Sequence, residues 1–145
     1  MIDRMNTDTT ALRPHKNNNT WTTEQLWHNP EISMYMSSPV LSDHLLFGLS
    51  HKRRGHFFCL DARSGKTLWT SPGRQADNAT LTLVAHHLFL LTTNADLIIA
   101  PVDSNSFTPL AHYPVATTPT WSHPVILDNQ ILVKSQETLA LWTLK

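Results

Sequence analysis

Nine histidines, one cysteine and eleven aspartates and glutamates are the side chains of this 145-residue chain that could bind a metal or move a proton. The histidines are His15, His28, His44, His51, His56, His86, His87, His112 and His123. None falls into a His-Glu-x-x-His or Cys/His finger spacing, which would put several ligands on one ion. His44 and His86 stand 42 residues apart, each one step before a strand-like run, and are expected to share a role at a turn. Cys59 lies inside the apolar run Phe57-Phe58-Cys59-Leu60 and reads as a buried small hydrophobe. Serine-nucleophile chemistry needs a strained Gly-x-Ser-x-Gly elbow, which is absent, and Gly65-Lys66-Thr67 lacks the upstream glycine of a phosphate loop. The sequence therefore assigns no catalytic, cofactor-binding or metal-ligating residue. The aromatic groups remain. Trp21, Trp27, Trp69, Trp121 and Trp142 could build a stacking platform, but Trp27 and Trp69 are 42 residues apart, which points to packing repeated along the chain.

That spacing recurs. Leu26-Trp27 returns as Leu68-Trp69 and, degraded, as Leu110-Ala111; Asp61 returns as Asp103; Leu46-Phe47 returns as Leu88-Phe89 and, one residue off step, as Ile131-Leu132. A period in the low forties, made of short apolar runs and turn residues, predicts four-stranded sheets stacked around an axis, a β-propeller. The expected fold is all-β: about three antiparallel four-stranded blades, the last lacking its outer strand. Residues 1–19 are polar and read as a disordered lead-in. Residues 20–145 carry the repeats. Within them, 20–28 is expected as the outer strand of a preceding blade, 37–71 and 79–113 as whole blades, and 122–144 as an incomplete one. Closed propellers typically need about 4–8 blades, so the chain is expected to be the C-terminal portion of a longer propeller or to cover its open faces against a partner. Trp121, just ahead of the inner strand of the last unit, and Tyr35, at the matching entry to the first, are the candidates for contact with an axial ligand.

The sharpest local pattern is Cys59-Leu60-Asp61-Ala62-Arg63-Ser64-Gly65-Lys66-Thr67-Leu68-Trp69. Asp61 can accept backbone N–H groups in a turn, Ser64 can cap the same turn, and Gly65 suits a positive-φ position. Trp69 is placed to fill the gap between neighbouring blades. This is structural chemistry rather than catalysis. The run resembles the tryptophan-docking repeat of pyrroloquinoline-quinone-type propellers, Ala-x-Asp-x-x-Thr-Gly-x-x-x-Trp, with Cys59 for the alanine and Ser64 for the threonine. The second copy keeps Asp103 and Ser106 but has Phe107 for the glycine and Ala111 for the tryptophan.

The resemblance implies one of two activities. Some members of that family are dehydrogenases that hold the quinone and a calcium ion on the axis, and use a vicinal cysteine pair. Many others are non-catalytic repeat proteins. With Cys59 alone this chain has no vicinal pair, and its carboxylates at Asp43, Asp61, Asp103 and Asp128 fall in turns. A non-enzymatic binding or scaffold module is the expected function, with a piece of a quinone-dependent dehydrogenase as the alternative. The resemblance also implies a periplasmic or otherwise extracytoplasmic location, although residues 1–20 contain no signal-like apolar segment.

Composition bounds the partners. Eleven Lys and Arg balance eleven Asp and Glu, which gives no electrostatic ground for a nucleic-acid partner. The single basic run, His51 to Arg54, reads as a solvated hairpin tip. No stretch of 18 apolar residues occurs, so no spanning helix is expected. Protein partners, or the missing blades themselves, are the expected ligands.

Overall fold

The computed structural model of the chain describes residues 8–144. It contains a two-stranded hairpin followed by three antiparallel sheets of four, four and three strands. The hairpin is β1 (Thr9–Asn17) and β2 (Thr20–Asn29). The first blade is β3 (Val40–Ser42), β4 (Leu45–Ser50), β5 (His56–Asp61) and β6 (Thr67–Thr70). The second is β7 (Ala79–Val84), β8 (His87–Thr92), β9 (Asp96–Pro101) and β10 (Ala111–Pro114). The third is β11 (Val125–Leu127), β12 (Gln130–Lys134) and β13 (Leu139–Thr143). Each blade is a simple meander, with strands hydrogen-bonded in chain order. The architecture is a partial β-propeller whose last blade lacks an outer strand, as the 42-residue period implied.

Two expectations need correction. The lead-in is not disordered over Thr9–Asn17: it is a strand running antiparallel to β2, from Thr9↔Asn29 to Asn17↔Thr20. The asparagine run that looked like loose chain is the hairpin turn, with Asn18 at φ 51°, a conformation asparagine tolerates well. Residues 1–7 of the expected lead-in lie outside the described residues. The second blade, expected over 79–113, runs on to Pro114, its fourth strand being only Ala111–Pro114, since Pro109 just ahead has no N–H to donate to a ladder.

Period-2 alternation gives every blade two apolar rows, one on each face. In the first blade, Val40, Phe47 and Cys59 stand in register on one face and Leu41, Leu46 and Leu60 on the other. The second blade has Thr82-Phe89-Ile99 and Leu83-Leu88-Ala100. The third has Val125-Leu132-Leu141 and Ile126-Ile131-Trp142. The core sits between blades. Phe47, Leu49, Phe57 and Cys59 pack on Leu81, Leu88, Leu90 and Ile98 at the first junction. Phe89, Leu91 and Leu97 pack on Ile131 and Val133 at the second. Stability in such an array is approximately a sum of blade and junction terms.

The first hairpin turn of each blade repeats as well. Asp43, Ala85 and Asp128 all adopt φ between 51° and 55°. Aspartate tolerates this left-handed region, whereas alanine's Cβ crowds its own carbonyl there. Ala85→Asn is therefore expected to raise stability by about 0.5–1 kcal/mol. A lower melting temperature for that variant would contradict the strained turn.

Candidate functional site

The Asp61–Trp69 segment forms the turn its residue types dictate. The Asp61 carboxylate accepts the backbone N–H of Arg63 at 2.8 Å and of Ser64 at 3.3 Å. These bonds hold its carboxyl below the ordinary range, with the Arg63 backbone N–H the main cause. The Gly65 N–H closes the turn on the Asp61 carbonyl at 2.8 Å, with Gly65 at φ 71°. The Ser64 hydroxyl accepts the Lys66 N–H at 3.4 Å. Asp103 repeats the device, accepting the Asn105 N–H at 2.7 Å.

These turns are docking points for tryptophans of the preceding unit. The Trp27 indole N–H donates to the Ala62 carbonyl at 2.8 Å, and the Trp69 indole to the Asp103 carbonyl at 2.9 Å. A Cβ on Gly65 would come within 2.5 Å of the Trp27 ring, so the missing side chain is what lets the ring lie on the turn. In the next blade Phe107 stands in the glycine's place. There Trp69, which is half-buried, lies between Phe47 and Phe107 with ring centroids 5.9 and 5.5 Å away. The second motif copy has thus exchanged a backbone platform for an aromatic one.

Sequence reasoning missed Asn29. It is buried; its amide donates to the Gly65 carbonyl at 2.7 Å, and its own carbonyl accepts the N–H of Glu31 and Ile32 at 2.8 and 3.1 Å. It ties β2 to the first blade. Its only sequence signal is Asn29-Pro30 at a strand end, a turn initiator.

The titratable groups hold structural posts. His44 and His86 do share a turn role, through their backbones. Their carbonyls accept the N–H of Ala62 and Val102, each just past the third strand of its blade, at 2.8 and 2.9 Å. His15, His28 and His112 each place Nε2 on a carboxylate, of Glu24 at 3.1 Å, Asp8 at 2.8 Å and Asp96 at 2.9 Å. Among the described residues, no group of three or more His, Cys, Asp or Glu is placed to hold a metal ion.

Burial, with the Asp103 and Asp61 charges adding to it, pushes the Cys59 thiol up to about 12. Native protein at about pH 8 should therefore leave a thiol-reactive disulfide reagent unconsumed, and urea-unfolded protein should consume one equivalent per chain. Rapid native labelling would show that Cys59 is reachable.

His56 is buried, and its Nδ1–H donates to the Lys52 carbonyl at 2.9 Å. Desolvation chiefly, with help from the Arg53, Lys52 and His51 charges, lowers its pKa below 6.5. The folded chain then resists a proton that the unfolded chain accepts below about pH 6.5, so unfolding is favoured as pH falls through 6.5 towards the folded value. His56→Asn should flatten the melting temperature between about pH 7 and 5 relative to the parent. An unchanged slope would place the pH dependence elsewhere.

The two candidate axial contacts are both exposed, Tyr35 at 60% and Trp121 at 57%. The structure does not bring them into one pocket. Trp121 lines a cavity of about 420 Å³ with Pro119, Ser122, Lys134, Ser135 and Gln136, whereas the Tyr35 ring stands edge-on to His51 at 6.3 Å. An apolar groove of about 300 Å³ lies between the second and third blades, lined by Leu97, Tyr113, Val115, Trp142 and Leu144 among others. No helix among the described residues is long and apolar enough to cross a membrane.

Meandering sheets, tryptophan-docked turns and inter-blade cores define part of a β-propeller. Comparison with solved structures agrees on the fold. The chain superposes on BamB from Moraxella catarrhalis with a TM-score of 0.59 at 15% identity, covering 82% of this chain and 36% of that one. It superposes on a europium-containing methanol dehydrogenase with a TM-score of 0.55 at 13% identity, covering 97% of this chain and 25% of that one. The chain therefore spans well under half the length of either. No protein-family model matches the sequence, and no curated protein does.

Proposed function

We propose that the chain is a non-enzymatic β-propeller module, a binding or scaffold unit that forms part of a larger ring and works outside the cytoplasm. The observation that carries this reading is where the motif side chains are used. Asp61, Gly65, Trp27 and Trp69 are committed to holding one blade on the next. What the molecule offers a partner is surface: exposed aromatics at Tyr35 and Trp121, and exposed apolar side chains at Leu41 in the first blade and at Val125 and Leu141 in the last. Tyr35 and Trp121 are the proposed contact residues for a protein partner or an axial ligand. A balanced charge supports protein over nucleic acid as that partner.

The test opposes this reading to a quinone-dependent dehydrogenase. Pyrroloquinoline quinone with calcium is titrated into the protein by calorimetry, and reduction of an artificial electron-accepting dye is followed with alcohols as substrates. A scaffold gives neither heat of binding nor dye reduction. Saturable quinone binding that needs calcium, with turnover, would replace the scaffold reading by the dehydrogenase one.

A further inference from the structure

The basic run at the β4–β5 hairpin tip does not stand alone in the fold. Lys52, Arg53 and Arg54 form that tip, and the loop leaving β6 lays Arg74 beside them. The Arg74 N–H donates to the Arg53 carbonyl at 3.1 Å, and the Gln75 N–H to the Gly55 carbonyl at 3.0 Å. The loops touch so closely that a Cβ on Gly73 would lie 2.7 Å from the Arg53 carbonyl oxygen. From the matching tip of the second blade, the Asn94 side-chain amide donates to the Gln75 carbonyl at 3.2 Å. These bonds gather four of the chain's eleven lysines and arginines in one place, although Arg74 is 20 residues from Arg54 in the sequence.

Two observations separate this cluster from an ordinary solvated tip. Arg13 and Arg63 pair with Glu24 and Asp61, whereas among the described residues no carboxylate pairs with Arg53, Arg54 or Arg74. The same three arginines all hold left-handed backbone, at φ 54°, 62° and 66°, a region that suits glycine or asparagine and strains a longer side chain. Strain kept at side chains that pair with nothing in the chain is a mark of a binding position. Two cavities adjoin them. Arg54 and Arg74 line one of about 210 Å³ with Asp77 and Asn94. Lys52 and Arg53 line another of about 340 Å³ with Glu31, Thr67 and Thr70.

We infer that this surface binds an extended acidic segment of a protein partner, whose carboxylates sit on the guanidinium groups of Arg54 and Arg74 in one cavity and of Arg53 in the other. Guanidinium presents a planar fork that matches a carboxylate, and loops already locked by backbone bonds lose little freedom when it docks. Glu31 and Asp77 select the class of partner. One lines each cavity, so a continuous line of phosphates is repelled at both. A peptide brings its carboxylates singly, and its backbone N–H groups are donors that Glu31 and Asp77 can accept. The inference rests on the module reading above and names the chemistry of the partner.

The test uses the full chain and fluorescein-labelled hexaglutamate, followed by fluorescence anisotropy. Binding should be saturable and should weaken about tenfold or more as salt rises from about 0.05 to about 0.5 M. Arg54→Asn and Arg74→Asn remove a charge while suiting the left-handed backbone better than arginine does. Each should weaken peptide binding about tenfold and leave the melting temperature equal to the parent's or higher. Lys66→Gln removes an exposed charge at the other end of the same blade and should bind as the parent does. No saturable binding at low salt overturns the inference and leaves the module reading standing, since that reading rests on Asp61, Gly65, Trp27 and Trp69. Undiminished binding by both asparagine variants overturns it as well. Variants that lose melting temperature along with binding would make the arginines structural, which also sinks it. An oligothymidylate of equal charge that binds more tightly than hexaglutamate would overturn the choice of a protein partner.

Discussion

Phe57→Ala should lower the unfolding free energy by about 3–5 kcal/mol, the usual range for deleting a fully buried aromatic ring. Phe57 is 1% exposed and sits in the core of the first junction, with its ring centroid 5.2 Å from that of Phe107. The loss has two parts, the apolar area no longer removed from water and the void left behind. The second part is large here because the walls belong to two different blades, each held by its own strand ladders and unable to collapse inwards. Urea unfolding followed by tryptophan fluorescence measures the effect. The slope of free energy against urea should fall as well, because a weakened junction lets the blades unfold separately. Leu110→Ala, on an exposed loop, should change stability by no more than about 0.5 kcal/mol. A loss below about 1 kcal/mol for Phe57→Ala would mean that the blades are not packed through this row.

Gly65→Ala should cost about 2–4 kcal/mol, from two separable sources. Holding alanine at φ 71° costs about 1–2 kcal/mol whatever surrounds it. The remainder is the collision of the new Cβ with the Trp27 ring 2.5 Å away, which pushes the indole off the turn and strains its hydrogen bond to Ala62. A double-mutant cycle separates them. In a Trp27→Ala background the steric part disappears, and Gly65→Ala should then cost only the backbone part. Equal costs in both backgrounds would show that Trp27 does not dock on Gly65.

Much of this was legible in the chain. Turn chemistry depends on residues a few positions apart, so Asp61, Ser64 and Gly65 announced their turn directly, and the 42-residue recurrence of Leu-Trp announced stacking. Thr9–Asn17 was not legible, since a polar strand held by ladder bonds and exposed polar contacts has no apolar period to read. Phe107 looked like erosion of a motif. Its use as a platform for Trp69 depends on a side chain 38 residues earlier in the chain, a relation that no local pattern encodes. Trp121 and Tyr35 do not share a pocket, because the loops carrying them lead into different blades, a separation that no local pattern encodes.

Local chemistry and periodicity, which act over a few residues or repeat at fixed steps, were enough to determine blades, turns and the missing outer strand. Only the tertiary structure decided which faces are satisfied. Leu41 and Leu83 occupy the same place in their repeats, yet one is exposed and the other packed. The reason is physical. Burial is a property of what stands opposite a side chain: a neighbouring blade stands opposite Leu83, and among the described residues no blade stands opposite Leu41.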